Sequence, residues 1–491
     1  MKKNIVLIDL DLILIKSIHA SENVNIEYLI VEANDNKIDE LKSLYGIKNI
    51  LSRERFDEYT EQHADELDYK TIEKFRVSQL NSEYFQSRFS DDVSLKQYKY
   101  FNALSFWVDI FKKKNISAII LEGREHGANY DGLALDVAKA DDIPAFIFET
   151  HMLRHTEQDV KSVRAVFDYG LKSRISIDHS RHNLGKVDLK KYLFYPEKVI
   201  AVLKKKRKTP KDFLKTLFPS FIFIVIRMMQ KIIFKKAILM HGFNISPIKI
   251  IKNVFYIGLM KKKYDSVSSN LDTSKKYIFY ALHFDPEASI MSRTVLSNQL
   301  IIIKQLSEAL PADWTLYVKE HPIQFEAHNS GRWFYLISVD KYRTLDFYNE
   351  ILKFDNVCIL NNNINSREVI ESATAIATIN GSIALETMSY DTPLILFGHQ
   401  STPFGSCNDV FKITSSKQCR EALKIIESGF TPNYSDLSEI VDEQLFELNR
   451  VPAGFEHNKV PLNDVKLLVD YMVCEYSSSD ESKLSKVCDD K

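Results

Sequence analysis

Three short apolar runs in the second half of the chain each break into residues that can bind an anion. Leu316 to Val318 opens into Lys319-Glu320-His321-Pro322. Ala375 to Ile379 opens into Asn380-Gly381-Ser382, and Ile383 to Met388 follows. Pro393 to Phe397 ends at Gly398. Runs of this kind read as buried parallel strands. Ligands of open α/β sheets bind beyond the carboxyl ends of such strands. Ser382 stands where a helix N-cap belongs. A helix start offers N–H groups and partial positive charge to a phosphate, and Gly381 lets the backbone come close. Glu386 lies four residues past Ser382 on the same helix face and can accept from ribose hydroxyls. Lys319 and His321 add donors to the phosphates. The set describes a nucleotide site that needs no metal ligand. Each piece alone also fits a plain capped strand–turn–helix; their combination in this order carries the reading.

A second polar set lies in the first half. Ile116 to Leu121 reads as a strand running into Glu122-Gly123-Arg124-Glu125-His126. Asp131 to Ala140 reads as a helix, and Pro144 to Phe148 as the next strand, running into Glu149-Thr150-His151. A βαβ unit sets its strands parallel, so these two polar groups are expected on one rim. Carboxylates, an arginine and two histidines there suit acid–base work and anion binding. A salt-bridged polar loop is the plainer alternative. Asp9 and Asp11 resemble a phosphohydrolase pair or an Asp-x-Asp metal motif. Ile13 stands where a Thr or Val is usual, so a strand end with two carboxylates is the simpler reading.

The whole chain bounds these sites. Its 491 residues, 45% hydrophobic and 27% charged, allow two or more soluble globular domains. The five cysteines, Cys358, Cys407, Cys419, Cys474 and Cys488, form no CxxC pair and no zinc spacing. Reduced thiols in the cytosol are expected. Asp9 and Asp11 interrupt any signal-peptide core, and no apolar run reaches the length of a spanning helix. Net charge is −1, but residues 204–263 hold sixteen Lys or Arg against one acid, Asp212. That stretch flanks an apolar run, Leu217 to Met229, interrupted by Arg227. Apolar and aromatic residues beside many lysines describe an interfacial segment on anionic lipid. An inter-domain helix is the alternative; nucleic acid is disfavoured, since no recognition motif accompanies the charge.

The elements expected to position the sites follow. Residues 1–190 form a first α/β domain, with strands at Asn4 to Ile8 and Tyr28 to Glu32 and a mostly helical region at 54–115. Residues 191–273 are a basic, partly apolar linker or membrane-docking segment. Residues 274–475 form a second domain, opening on a strand at Lys276 to Ala281 and a helix from Arg293 to Leu310. Further strands there lie near 315–319, 356–360, 375–379 and 393–397. Repeated strand–loop–helix units imply a doubly wound sheet. Residues 476–491 are a polar, disordered tail.

Leu282-His283-Phe284-Asp285-Pro286-Glu287-Ala288-Ser289, Tyr317 to Pro322 and Thr378 to Glu386 resemble the bacterial capsule polysaccharide biosynthesis family, which includes Kdo transferases. The resemblance covers residues 276–400 in order and spacing, and the first half only in architecture. It implies a GT-B-like fold, α/β, with two Rossmann-like domains facing a cleft that holds a nucleotide sugar. It places the family's His-Pro motif on His321-Pro322 and its donor-phosphate hydroxyl on Ser382, where many relatives carry threonine. Similar motifs in CMP-sialic acid transferases favour a CMP-sugar over a UDP-sugar. The implied activity is a metal-independent glycosyltransferase of capsular or surface polysaccharide, with a lipid-linked or glycan acceptor. The sequence places it in the cytoplasm, peripheral to the inner membrane through 204–263. A transferase needs a base or nucleophile at the reacting carbon. Glu122 and Glu125 lead for that role, with His126 and His151 behind them. Lys319, His321, Asn380, Gly381, Ser382 and Glu386 bind the donor, and His283, Glu287 and Arg124 take an acceptor-side or donor-side role. Asp285 and Glu287 are expected to be structural or acceptor-side rather than metal-binding, and no cofactor is expected. The competing readings are a non-catalytic component of a polysaccharide-assembly complex and a UDP-sugar epimerase-like enzyme.

Overall fold

The computed structural model describes residues 2–10, 12–32, 35–63, 66–122, 130–155, 158–168, 239–240, 243–244, 246–291, 296–326, 333–381, 383–388, 390–398, 407–434 and 445–446. The chain divides into two compact units, Met1–Val187 with Val441–Lys491, and Asp188–Ile440. Its strands, in order, are β1 (Lys3–Ile8), β2 (Val24–Val31), β3 (Ile50–Ser52), β4 (Ile116–Glu122), β5 (Ala145–His155) and β6 (Gln158–Asp168). A short hairpin follows, β7 (Leu239–Met240) with β8 (Phe243–Asn244). Then come β9 (Tyr277–Ala281), β10 (Thr315–Lys319), β11 (Val357–Ile359), β12 (Ala375–Thr378), β13 (Leu394–Leu396), β14 (Val410–Lys412) and β15 (Leu445–Phe446).

The first sheet has the order β15-β6-β5-β4-β1-β2-β3. Strands β1 to β5 pair in parallel. Ile5, Val6, Leu7 and Ile8 are all fully buried, so both faces of β1 are covered. Ile5 and Leu7 pack with Leu14, Ile15 and Ile18 of the helix Leu12–His19. Val6 lies beside Tyr28 in register, and Tyr28 meets Phe106 edge-on, within the helix Val93–Lys114 that covers the other face. That helix is capped by Asp92, which accepts from Leu95 N–H, and ends at Asn115, whose φ of 48° turns the chain directly into β4.

The second sheet has the order β11-β10-β9-β12-β13-β14, all parallel. Tyr277, Phe279 and Ile376 pack on one face with Val369 and Ile370. On the other, Tyr280 reaches Gln299 of the helix Gln299–Ala309. That helix starts later than Arg293, because Asn298 caps it by accepting from Ile301 N–H. Both units are Rossmann-like, so the chain has the α/β, two-unit architecture expected of a GT-B-like fold.

Three further features depart from the sequence reading. β5 does not stop at Phe148: it runs on to His155 and turns back into β6, pairing antiparallel from Phe146–Asp168 to His155–Gln158. Val160, Val163, Val166 and Phe167 give β6 the β-branched and aromatic residues of a partner strand. Glu149 and His151 therefore lie inside a ladder and not past a strand end beside Glu122, whose parallel partner is Phe148. The helix expected from Asp131 starts at Ala134. Leu445 and Phe446, read as part of the second domain, pair with Val163 and Arg164 in the first sheet.

Within the stretch 191–273, residues 204–238, with the apolar run at 217–229, lie outside the described residues. The part that is described contains a 21-residue helix, Pro247–Val267, built into the second unit. Ile250, Asn253, Ile257, Met260 and Tyr264 are its buried stripe. Asn253 donates to Leu336 O and Asp340 Oδ1, and Tyr264 donates to Leu360 O. Among the described residues no helix is long and apolar enough to cross a membrane. Cys358, Cys407 and Cys419 are free thiols, and the tail 476–491 lies outside the described residues.

Candidate functional site

Numbered within its own unit, the second sheet runs 3-2-1-4-5-6, and its connections change direction between β9 and β12. At such a reversal the loops after the two strands part and leave a crevice at the carboxyl edge. His283 follows β9, and Asn380-Gly381 follows β12. The structure brings these together. His283 is buried, with Nε2 3.2 Å from Thr378 Oγ1 and 3.4 Å from the Asn380 backbone nitrogen. The Asn380 N–H donates to Nε2, so in the neutral ring the proton sits on Nδ1. Nδ1 lies 3.6 Å from Glu287 Oε2. A Cβ on Gly381 would stand 3.0 Å from Thr378 Oγ1 and 3.3 Å from His283 Cε1, so glycine is what lets the β12 turn close over the imidazole. Gly398, after β13, lies still closer to its neighbour, the backbone at the end of β12: its Cβ would fall 2.2 Å from Ile379 O.

His321 stands past the end of β10, the strand on the other side of β9. Its Nδ1 accepts from Ile323 N–H at 3.1 Å, which leaves the neutral ring's proton on Nε2 as a donor. Its own N–H donates to Glu320 Oε1 at 3.1 Å.

Lys319 is placed differently from expectation. Its ammonium is buried and donates to Ile364 O at 2.7 Å and Ser366 Oγ at 3.0 Å, so it ties β10 to the loop after β11. Burial pushes its pKa down to about 8 against the pull of Glu368 and Glu386. Burial in turn raises the Glu386 carboxyl, opposed by Arg367 and Lys319. The helix that carries Glu386, Ile383–Met388, has only six residues, so its dipole is that of fewer than two turns. Ser382 lies outside the described residues.

Behind the edge is a buried ion cluster that the sequence did not announce. Arg343 is fully buried, with Nη2 3.0 Å from Asp285 Oδ2 and Nε 3.2 Å from Glu320 Oε2. Its Nη2 also donates to His283 O at 3.0 Å, and its guanidinium stacks 3.9 Å from the Phe347 ring centroid. Tyr348 donates to Glu320 Oε2 at 2.8 Å, and Tyr264 Oη accepts from Glu320 N–H at 3.0 Å. Burial raises both carboxyls, with Arg343 opposing it; one cation shared by two carboxylates does not cancel their desolvation. Two glutamines complete the clamp. Gln299 brackets His283 through its N–H and its carbonyl, and Gln324 does the same to Asp285. Asp285 is therefore structural: it and Glu320 hold the loops that carry His283 and His321. The available signal was two acids within four residues of buried strand ends, which demand a cation.

The first sheet has the same reversal, between β1 and β4. Asp9, just past β1, has φ 58° and is bridged at 2.6 Å to Arg53 Nη1, while Arg53 Nε lies 2.9 Å from Asp131 Oδ2. Asp9 is thus a strand-end carboxylate in an ion pair; Asp11 lies outside the described residues. Glu122 ends β4 and His151 lies in β5, and only their backbones are described. Arg124, Glu125 and His126 lie outside the described residues. Among the described residues no group of three or more His, Cys, Asp or Glu side chains is placed to hold a metal ion.

No protein-family model matches the chain, and no curated protein matches it. Among solved structures it is similar to KpsC of Thermosulfurimonas dismutans, a β-Kdo 2,7 transferase, at 12% identity and a TM-score of 0.34, covering 90% of this chain and 98% of that one. It is similar to the UDP-GlcNAc 2-epimerase of Methanocaldococcus jannaschii at 12% identity and a TM-score of 0.25, covering 90% and 99%. The UDP-GlcNAc 2-epimerase of Neisseria meningitidis, bound to UDP-GlcNAc, aligns at 11% identity and a TM-score of 0.24, covering 97% and 100%. Likenesses this distant decide neither the reaction nor the substrate of this chain.

Proposed function

We propose that the second unit binds a nucleotide sugar at the carboxyl edge between β9 and β12, and that the chain is a metal-independent glycosyltransferase of surface polysaccharide. The observation that carries this is the placement of His283, Asn380 and Gly381 at the strand-order reversal, with His321 on the neighbouring strand end. The His321 Nε2–H is a donor suited to a phosphate oxygen. Glu386, near Lys319, is suited to ribose hydroxyls. The motif resemblance noted above favours a CMP-activated donor and a lipid-linked or glycan acceptor. The base or nucleophile of the transfer is assigned to the first unit's polar residues, Glu122 and Glu125 first, then His126.

The test is turnover. The purified chain is incubated with CMP-, UDP- and GDP-sugars, with and without a lipid-linked glycan acceptor, in EDTA. The reading expects acceptor-dependent release of one nucleotide. Conversion of a UDP-sugar to its epimer without acceptor would move the assignment to an epimerase. Tight nucleotide binding without turnover of any donor would make the chain a non-catalytic member of an assembly complex.

A further inference from the structure

We infer that the exposed face of the helix Pro247–Val267 is a docking surface for an anionic lipid bilayer. A helix packed on a globular unit ordinarily turns one apolar stripe inward and a polar one outward. This helix has apolar residues on both sides. Inward lie Ile250, Ile257, Met260 and Tyr264, all buried. Outward lie Ile248, Phe255 and Leu259, exposed by 70%, 72% and 59%. The outward residues are seven and four positions apart, so they form one stripe, and Lys252 and Lys262 fall on it. Beside it, Gly258 borders a groove walled by Val254, Ile257 and Phe325 and edged by Lys261, Lys262 and Asp265. A large aromatic and two aliphatic side chains held in water mark a surface that is covered in use.

Charge selects what covers it. No acid occurs between Asp212 and Asp265; the helix itself carries Lys249, Lys252, Lys261, Lys262 and Lys263 against one acid, Asp265, which is paired with Lys261 near its end. A second copy packed about a twofold axis would set this lysine-bearing stripe against itself. The chain's own residues 204–238 bring eleven more Lys or Arg with a single acid. Neither neutralises the face. An anionic bilayer does, and its headgroup–acyl boundary takes up Phe255 and Leu259. The helix is also fixed to the nucleotide-site loops: Tyr256 donates to Arg343 O, and Tyr264 meets Glu320 next to His321. Docking along this face therefore sets the carboxyl edge of the second sheet at a constant height above the lipid. The inference rests on the proposed function only for its purpose, which is access to a lipid-linked acceptor.

The experiment is co-sedimentation of the full chain at low salt, without donor or acceptor. The vesicles are phosphatidylcholine alone or phosphatidylcholine with phosphatidylglycerol. The chain is expected to pellet with the anionic vesicles only. The double variant Phe255→Glu with Leu259→Glu is expected to lose at least ~tenfold of its partitioning, because both side chains leave the acyl boundary. Its thermal midpoint should be unchanged, since both positions are exposed. Phe255→Trp gives a second readout: the emission of the introduced indole should shift to the blue on anionic vesicles. A wild-type chain that stays in the supernatant overturns the inference, as does a double variant that pellets like the wild type or an indole emission that does not move in the Phe255→Trp chain. A dimer in velocity sedimentation that the double variant abolishes would assign the face to a second copy instead. Nucleotide affinity is measured separately, so its absence would reject the donor site and leave the docking result standing.

Discussion

The two units share a strand order and differ in what stands where that order reverses. In the first, Arg53 lies between Asp9 at the end of β1 and the buried Asp131, so the edge is closed by an ion triplet. In the second, the comparable triplet is centred on Arg343 and Glu320, both fully buried, with Asp285 at its outer end, and the edge is left to His283, Asn380, Gly381 and His321. The chemistry of the two edges follows. A phosphate at the first meets the Asp9 carboxylate and a guanidinium already shared by two acids. At the second it meets the imidazoles of His283 and His321, on loops held from behind. The same ion arrangement thus occupies one crevice and braces the other.

Removing the brace has the largest expected effect. Arg343→Met leaves the buried Glu320 and the mostly buried Asp285 without their cation and should cost about 3–5 kcal/mol in denaturant unfolding. It should also weaken nucleotide binding, because His283 O and Asp285 lose their anchor. Arg53→Met should cost less, about 1–3 kcal/mol, since Arg53 and Asp9 both keep some contact with water, whereas Arg343 and Glu320 keep none. Nucleotide affinity in that variant should stay at the wild-type value. Equal losses of affinity in both would mean that the two triplets serve the same site.

How much of this was legible depended on the range of the cause. Five strands of the second sheet were readable because each is a short apolar run ended by glycine, asparagine or proline within a few residues; β14, Val410-Phe411-Lys412 followed by Ile413-Thr414-Ser415, has no such stop and was not read. His283, His321 and Gly381 stood out for the same reason. Arg343 did not, since Val339-Asp340-Lys341-Tyr342-Arg343 is an unremarked surface-like sequence whose partners lie 58 and 23 positions away, at Asp285 and Glu320. The β5–β6 hairpin was missed because polar His151 and Arg154 interrupt the apolar run. Their places in the ladder are set by β6, not by local pattern. Lys319 stood out as a donor, but its bonds to Ile364 O and Ser366 could not be read, since nothing local shows that these lie within its reach.

A smaller effect separates the units by pH. The Lys319 pKa is depressed by burial from 10.5 to about 8, so between those values the unfolded chain binds more protons than the folded one. Stability from this group therefore rises as pH rises through that window, and the burden of the buried charge is fully present below pH 8. The stability difference between the wild type and Lys319→Met should shift in favour of the wild type from pH 8 to 10.5. A pH-independent difference would mean that the ammonium is solvated.

The most direct test of the central claim is calorimetric titration of CMP, UDP and GDP into the wild type, His321→Ala and Asp9→Ala. The account predicts that one nucleotide binds and that His321→Ala loses ~1–3 kcal/mol of that affinity, the scale of a charge-assisted hydrogen bond. Asp9→Ala should bind as the wild type does. Full affinity in His321→Ala together with a loss in Asp9→Ala would place the nucleotide on the first unit and contradict the account.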